Sequence, residues 1–381
     1  MFLEYYIYYL YYTFLGFPFI IRVAVAAVCF YSPVLLIIYY TLLRTRNGFY
    51  RTCKLEKKLD EKYFGKIKEI MASPVDYLAD EVAAILENPK KLSKKEKKAL
   101  TGFVYDIFKT SGYVNPNNYR KVLDTFDLPR YWERKLQYGN FTAKYHALRR
   151  LDDLNTEIPG SVITAFTYNR NQYLRKMARV SFMRYSKNSP YKFFDEDFDK
   201  TFNRWDRVEI HRALSLRAEE GLPNFTQWIK NSDNMEFKCF LIDEIKLFGQ
   251  QECCPFLLRL IEDPEIKLRQ HAIEALGEMR YAPAEKPLIG TYALQPEIIQ
   301  RSIMNAIWKL GSGEAVSFLE EAFYNAHSSD SEICIARVIY NYGEKGKSLF
   351  HKLKSESHGF TRQVFEHVAN PLVKYNEVDM L

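Results

Sequence analysis

Apolar residues run almost without interruption from the first residue to Leu43, where only Glu4 and Arg22 carry charge; Arg44 then opens a stretch rich in lysine and arginine. Residues 23–43 are uncharged and mostly apolar, and as a helix they reach about 31 Å, enough for a hydrocarbon layer of roughly 30 Å. The pattern predicts one transmembrane helix over 23–43. Residues Tyr5 to Ile21 form the alternative first span of a hairpin, but Glu4 and the Gly16-Phe17-Pro18 interruption leave that run short. The tyrosines at 5, 6, 8, 9, 11 and 12 then suit an interfacial aromatic belt over 1–22, with Tyr39 and Tyr40 near the other face. Past the span, Leu55, Leu59, Tyr63, Ile67 and Ile70 recur at helical spacing with lysines between them. This predicts an amphipathic juxtamembrane helix that lies on lipid headgroups or packs on its neighbours.

Capping signals punctuate the next segment. Ser73-Pro74-Val75-Asp76 and Ser93-Lys94-Lys95-Glu96 read as helix starts, predicting helices over Val75 to Leu86 and Lys94 to Lys109 that stop at Asn88-Pro89 and Gly112. Asn115-Pro116 and Leu128-Pro129 open further short helices, so 44–140 reads as a basic helical connector. From about 141 the pattern repeats, with turns at Asn155, Ser186, Gly221, Gly249, Gly277, Gly311 and Gly343, spaced 28 to 35 residues apart. Apolar residues precede each turn by one and four positions (Ile245 and Phe248, Ile273 and Leu276, Ile307 and Leu310, Ile339 and Tyr342), except at Gly221. A period of this length built from helix pairs means an α-solenoid, because one pair cannot bury its apolar face without the next. The array is expected over 141–370, with a tail over 371–381.

Within it, Leu268-Arg269-Gln270-His271-Ala272-Ile273-Glu274-Ala275-Leu276-Gly277 resembles the first helix of a HEAT repeat of the short type related to phycobilin lyases. Ile303 to Gly311 is similar, and Asp263-Pro264-Glu265 and Gln295-Pro296-Glu297 resemble repeat openings. The resemblance implies an all-α, HEAT-type α-solenoid. It also implies a groove lined by second helices around Tyr191 to Phe198, Gln227 to Ile229, Pro255 to Ile261, Lys286 to Tyr292, Val316 to Phe323 and Ser348 to Leu353.

Charge sets the orientation. Arg44, Arg46, Arg51, Lys54, Lys57, Lys58, Lys62, Lys66 and Lys68 face only Glu56, Asp60 and Glu61 in the same stretch, so the C-terminal body is expected in the cytoplasm, and these nine residues are candidates for contact with anionic lipid headgroups. The lysines at 90, 91, 94, 95, 97 and 98 read as a solvated face or a second lipid contact. A cleavable signal peptide fits less well, since the apolar segment is long and ends in a basic stop. Val25 to Cys29 resembles a lipoprotein box, but Val28 stands where a small residue is usual.

Six cysteines without a C-x-x-C pair suggest buried free thiols and a reducing compartment, in which the sequons at Asn140 and Asn224 are silent. Di-iron hydroxylases of the HEAT fold carry His-Glu dipeptides; the seven histidines here (146, 211, 271, 327, 351, 358, 367) are followed by none. No nucleotide loop, zinc motif or nucleophile elbow is present, so neither catalytic residues, metal ligands nor cofactor are assigned. The net charge of +7 and arginines 149, 150, 175, 179, 212, 269, 301 and 337 on first helices raise nucleic acid as an alternative. Against it, much of the basic excess flanks the span, and the arginines read as solvent-facing residues paired with nearby acids. The expected function is a membrane-anchored cytoplasmic scaffold or adaptor at a bacterial inner membrane, gripping a protein partner, itself membrane-associated, in the solenoid groove. The alternative is an auxiliary subunit of a membrane enzyme complex.

Overall fold

The computed structural model describes residues 2–87, 89, 92–155, 160–326 and 328–372. Its Cα packing divides the chain into two compact units, Met1–Thr156 and Glu157–Leu381. Among the described residues the secondary structure is helical throughout.

The first unit starts with α1 (Phe2–Gly16) and α2 (Phe19–Leu59). They are separated by a break at Phe17-Pro18, where the Arg22 guanidinium donates to the Phe17 carbonyl at 2.7 Å. At 15 residues α1 rises about 22 Å, short of a bilayer core. α2 is long and apolar enough to cross a membrane, and none of its most apolar window is buried in the protein. The sequence predicts a span followed by a separate juxtamembrane helix; instead α2 continues unbroken for 41 residues, through the basic stretch to Leu59. Pro33 and Gly48 lie inside this helix without ending it, and no turn residues separate the span from the basic stretch. A wider π-turn over Asp60–Phe64 joins it to α3 (Gly65–Ala72). From Leu59 onward one face is buried, through Tyr63, Ile67, Ile70 and Met71, so the juxtamembrane segment packs on its neighbours.

Those neighbours are α4 (Ala79–Ile85), α5 (Lys94–Thr110) and α6 (Pro116–Thr125), followed by α7 (Leu128–Tyr138) and α8 (Phe141–Asp153). The Tyr63 ring meets Phe126 edge-on, and Trp132 donates its indole N–H to Thr101 at 2.9 Å. Ser93 caps α5 with the expected reciprocal box to Glu96. The helix expected from Val75 begins only at Ala79, because the preceding segment is held extended by asparagines. The buried Asn118 amide donates to the carbonyls of Ile70 and Val75 at 3.1 and 2.8 Å and accepts from the Tyr77 N–H at 3.0 Å. Asn115 and Asn117 take both oxygens of Asp76 at 2.8 Å, removing the acid that was to close the cap.

The second unit opens with the short α9 (Gly160–Thr164) and α10 (Gln172–Tyr185), then α11 (Arg204–Arg217). Short second helices and longer first helices then alternate: α12 (Thr226–Asn231) and α13 (Met235–Phe248), α14 (Cys254–Arg259) and α15 (Ile266–Glu278), α16 (Glu285–Thr291) and α17 (Glu297–Leu310). The series closes with α18 (Val316–Tyr324), α19 (Ser329–Asn341), α20 (Gly343–Glu356) and α21 (Gly359–Val368). Ile245, Ile273, Leu276, Ile307 and Ile339 of the first helices are buried, as is Tyr342, whose hydroxyl bonds Glu285 of α16 at 3.0 Å. Gly249 and Gly311 end their helices in the left-handed conformation that glycine adopts without strain. Gly277, expected at a turn, lies inside α15, and the left-handed turn residue is Arg280. Gly277 serves a close approach instead, since a Cβ there would lie 2.7 Å from the Ala306 Cα of α17.

Candidate interaction surface

The first helices are joined by polar rungs between neighbours. Lys176 meets Asp206 at 2.6 Å, Arg207 meets Glu236 at 2.7 Å, and His211 meets the buried Glu244 at 2.9 Å. Glu236 also takes Lys267 at 3.1 Å, His271 bonds Asp243 at 2.9 Å, and Lys309 reaches Glu278. The partners of these last four contacts lie 28 to 33 residues apart, one repeat, so each rung ties a helix to its counterpart in the next unit at the same depth. Burial opposes charge on His271, yet the hydrogen bond and charge of Asp243, with a contribution from Cys239, raise its imidazole to about 10.

Some expected solvent-facing cations are interior. Arg179 is 4% exposed and binds the Thr167 carbonyl at 3.0 Å, the Phe198 carbonyl at 2.5 Å and Glu196 at 2.6 Å, beneath the Phe193 ring. The low exposure follows from the loop it holds: Asp197 and Phe198 both have positive φ, and the guanidinium satisfies the carbonyl this turn leaves inside. Arg175 does the same for Asp199 at 2.6 Å. Arg150 pairs within its own helix, with Asp153 at 3.4 Å. Asparagines cap α10, α11 and α13 at positions 171, 203 and 234. Their recurrence at the repeat spacing was a readable N-cap signal that the hydrophobic pattern overshadowed.

Two groups have the composition of catalytic triads. Ser215 Oγ lies 3.4 Å from His211 Nε2, while His211 Nδ1 bonds Glu244; however, the serine hydroxyl donates to the His211 carbonyl at 2.9 Å, so its proton is already committed. Cys239, His271 and Asp243 come together too, but Cys239 is 1% exposed. Cys253 and Cys254 are also buried, and burial pushes the Cys253 thiol up to about 11, which makes it a poor nucleophile. Among the described residues no group of three or more His, Cys, Asp or Glu side chains, the Cys239–His271–Asp243 cluster included, is arranged to hold a metal ion. His327 lies outside the described residues.

The nine basic residues of the juxtamembrane stretch all lie along α2, the π-turn and α3. Lys62 and Lys66 converge on Glu87, at 3.0 and 2.7 Å, and their hydrogen bonds lower that carboxyl to about 2. Arg44, Arg46, Arg51, Lys54, Lys57, Lys58 and Lys68 are exposed. Of the lysines after α4, Lys97 pairs with Asp127 at 2.7 Å, while Lys90 and Lys91 lie outside the described residues. The expected second-helix segments coincide with the 3-10 turn over Lys192–Glu196 and with α12, α14, α16, α18 and α20. On their outer side Lys230 and Arg259 flank the Phe256 ring at 5.2 and 6.0 Å, and Lys286, Glu321, Tyr324 and Lys352 are exposed.

A family model of HEAT repeats matches residues 222–303. No curated protein matches the chain. Among solved structures, importin beta is similar at 10% identity and a TM-score of 0.41, over 79% of this chain and 55% of importin beta, so the chain spans about half its length. An engineered protein is similar at 13% identity and a TM-score of 0.31, over 83% of this chain and 97% of that protein. With the helix pairs described above, the fold is an all-α, HEAT-type solenoid preceded by one long apolar helix.

Proposed function

We propose that this protein is a membrane-anchored scaffold whose solenoid binds a protein partner along its second helices. The carrying observation is the row of aromatic and charged side chains on the outer side of the second helices. The second helices carry Lys230, Phe256, Lys286, Glu321, Tyr324 and Lys352 on their outer side, where Lys352 pairs with Glu320 at 2.7 Å and Tyr324 donates to Glu356 at 3.4 Å. Of these, the Phe256 and Tyr324 rings are of the kind enriched at protein interfaces, with the charged residues as their polar surround. HEAT-type solenoids commonly present extended binding faces of this sort.

Residues 23–43 supply the anchor in this reading, with 1–22 at the far interface and 44–140 and 141–370 as connector and repeat array. Exposure of the α2 window and the basic excess after Leu43 support a single pass with the body in the cytoplasm; the membrane proposed is a bacterial inner membrane. Arg44, Arg46, Arg51, Lys54, Lys57, Lys58 and Lys68 then serve anionic headgroups. Lys62 and Lys66 divide their charge between lipid and Glu87.

Purification of the full chain from detergent-solubilised membranes tests this reading. A stoichiometric protein should accompany it, and should be lost when Phe256, Lys286 and Tyr324 are replaced by alanine while the chain stays folded and membrane-bound. Recovery of the chain alone, or a partner indifferent to those substitutions, sinks the scaffold. A reporter active only outside the cytoplasm, fused after residue 60, should be silent; activity reverses the topology.

A further inference from the structure

The surface where α10 and α11 begin carries a group of exposed aromatic residues. Three aromatic side chains stand out from it: Tyr168 is 63% exposed, Tyr173 64% and Trp205 64%. Val208, one helical turn beyond Trp205 on the same helix, is 57% exposed. The two helix starts are neighbours, since Thr201 Oγ1 donates to Gln172 at 3.2 Å and Lys176 reaches across to Asp206 at 2.6 Å. Tyr173 and Trp205 therefore occupy equivalent places, each in the first turn of a first helix.

The charge around these aromatics is one-sided. Asp199 and Asp206 face inward, to Arg175 and Lys176, and are 2% and 4% exposed, while Asp195 and Asp197 of the preceding turn are not buried. Glu196, beside Tyr168, is bonded by Arg179 and by the Tyr168 hydroxyl. Arg170, Lys200 and Arg204 are exposed and make no ion pair among the described residues. The α10 and α11 N-termini, capped by Asn171 and Asn203, add partial positive charge. The surface thus presents projecting Tyr and Trp rings among free cations.

We propose that this surface docks on a bilayer rich in anionic lipid. Tyr and Trp are the side chains that settle at the level of the headgroups, and Lys and Arg beside them gain from the negative surface potential. Rings that project, rather than line a cleft, suit a soft surface into which they can sink. An acidic peptide shares the charge but gives the rings nowhere to go. The inference rests on the reading of α2 as an anchor, and it gives the solenoid a lipid contact of its own.

The test uses the full chain in lipid nanodiscs whose neutral or anionic phospholipids carry brominated acyl chains, which quench nearby indoles. Trp205 is isolated as the difference between the parent and a Trp205→Phe variant, which subtracts the common signal of the buried Trp132 and Trp228 and of the half-buried Trp308. In anionic discs the Trp205 emission should be blue-shifted and quenched. The quenching should disappear in neutral discs, and also at high salt, where the Debye length contracts. Replacing Arg170, Lys200 and Arg204 with glutamine should shift the docked–undocked equilibrium roughly a hundredfold toward undocked, with an unchanged circular dichroism spectrum. Trp205 emission that is equally bright with and without bromine in anionic discs overturns the inference. So does a blue shift on adding polyglutamate without any bromolipid quenching, which would make the surface an acidic-peptide site. Discs that carry no chain sink the anchor, and this inference with it.

Discussion

In the first unit a single buried amide, Asn118, holds carbonyls 43 and 48 residues away and so fixes a loop that has no helix of its own. In the second, contacts such as His271 to Asp243 and Lys267 to Glu236 recur at 28 and 31 residues, and each fixes only one helix against the next. The difference is between a hub and a ladder. A hub serves several otherwise unsatisfied backbone groups, so its loss leaves all of them unpaired at once. A ladder divides the same work among equivalent rungs, and the apolar seams beneath carry most of the stability.

The largest expected effect comes from breaking such a seam. Leu276 is 0% exposed between stacked repeats, and Leu276→Asp should cost upward of about 4 kcal/mol by burying an unpaired carboxylate. Hydrogen exchange should then show protection lost across residues 222–370 of the second unit. Uniform loss across the entire chain would contradict the division into two units. Gly277→Val should act in the same place, by pushing α17 away from α15, at roughly 1–3 kcal/mol.

Next in size is the hub. Asn118→Leu should cost on the order of 2–4 kcal/mol, the sum of several unsatisfied backbone groups. Exchange should accelerate first at residues 70–78 while the repeats stay protected. A variant as stable as the parent would show that water replaces the amide without loss.

A single rung should matter less and should show itself through pH. Asp243 raises His271 from an ordinary value near 6.5 to about 10, so the charged imidazole stabilises the folded state. That contribution is fully present below about pH 6.5 and fades as pH rises toward 10. Thermal denaturation should therefore show a decline over this window that His271→Gln flattens. An identical pH profile for parent and variant would mean the rung carries no linkage. The smallest effect is expected at Glu321→Lys, an exposed position on α18, where stability should stay within about 0.5 kcal/mol. A larger loss would place that side chain in a contact the repeat geometry does not predict.

Periodicity alone was enough to determine the all-α class, the apolar N-terminal helix and the place of most repeat turns, because burial of one face per helix writes itself into spacing. Ser93 with Glu96 and the Asn115 cap were equally legible, since capping depends on residues three apart. Three things depended on contacts between distant positions. Asp76 reads locally as the acid of a cap, but the side chains of Asn115 and Asn117 claim it across about forty residues. Gly277 reads as a turn, yet its place is set by Ala306 on another helix. Arg179 reads as solvent-facing, but the strained turn at Asp197-Phe198 needs its guanidinium inside. Local pattern reports which residues prefer burial, whereas a buried polar group is decided by whichever distant partner satisfies it, and only the folded chain brings that partner near.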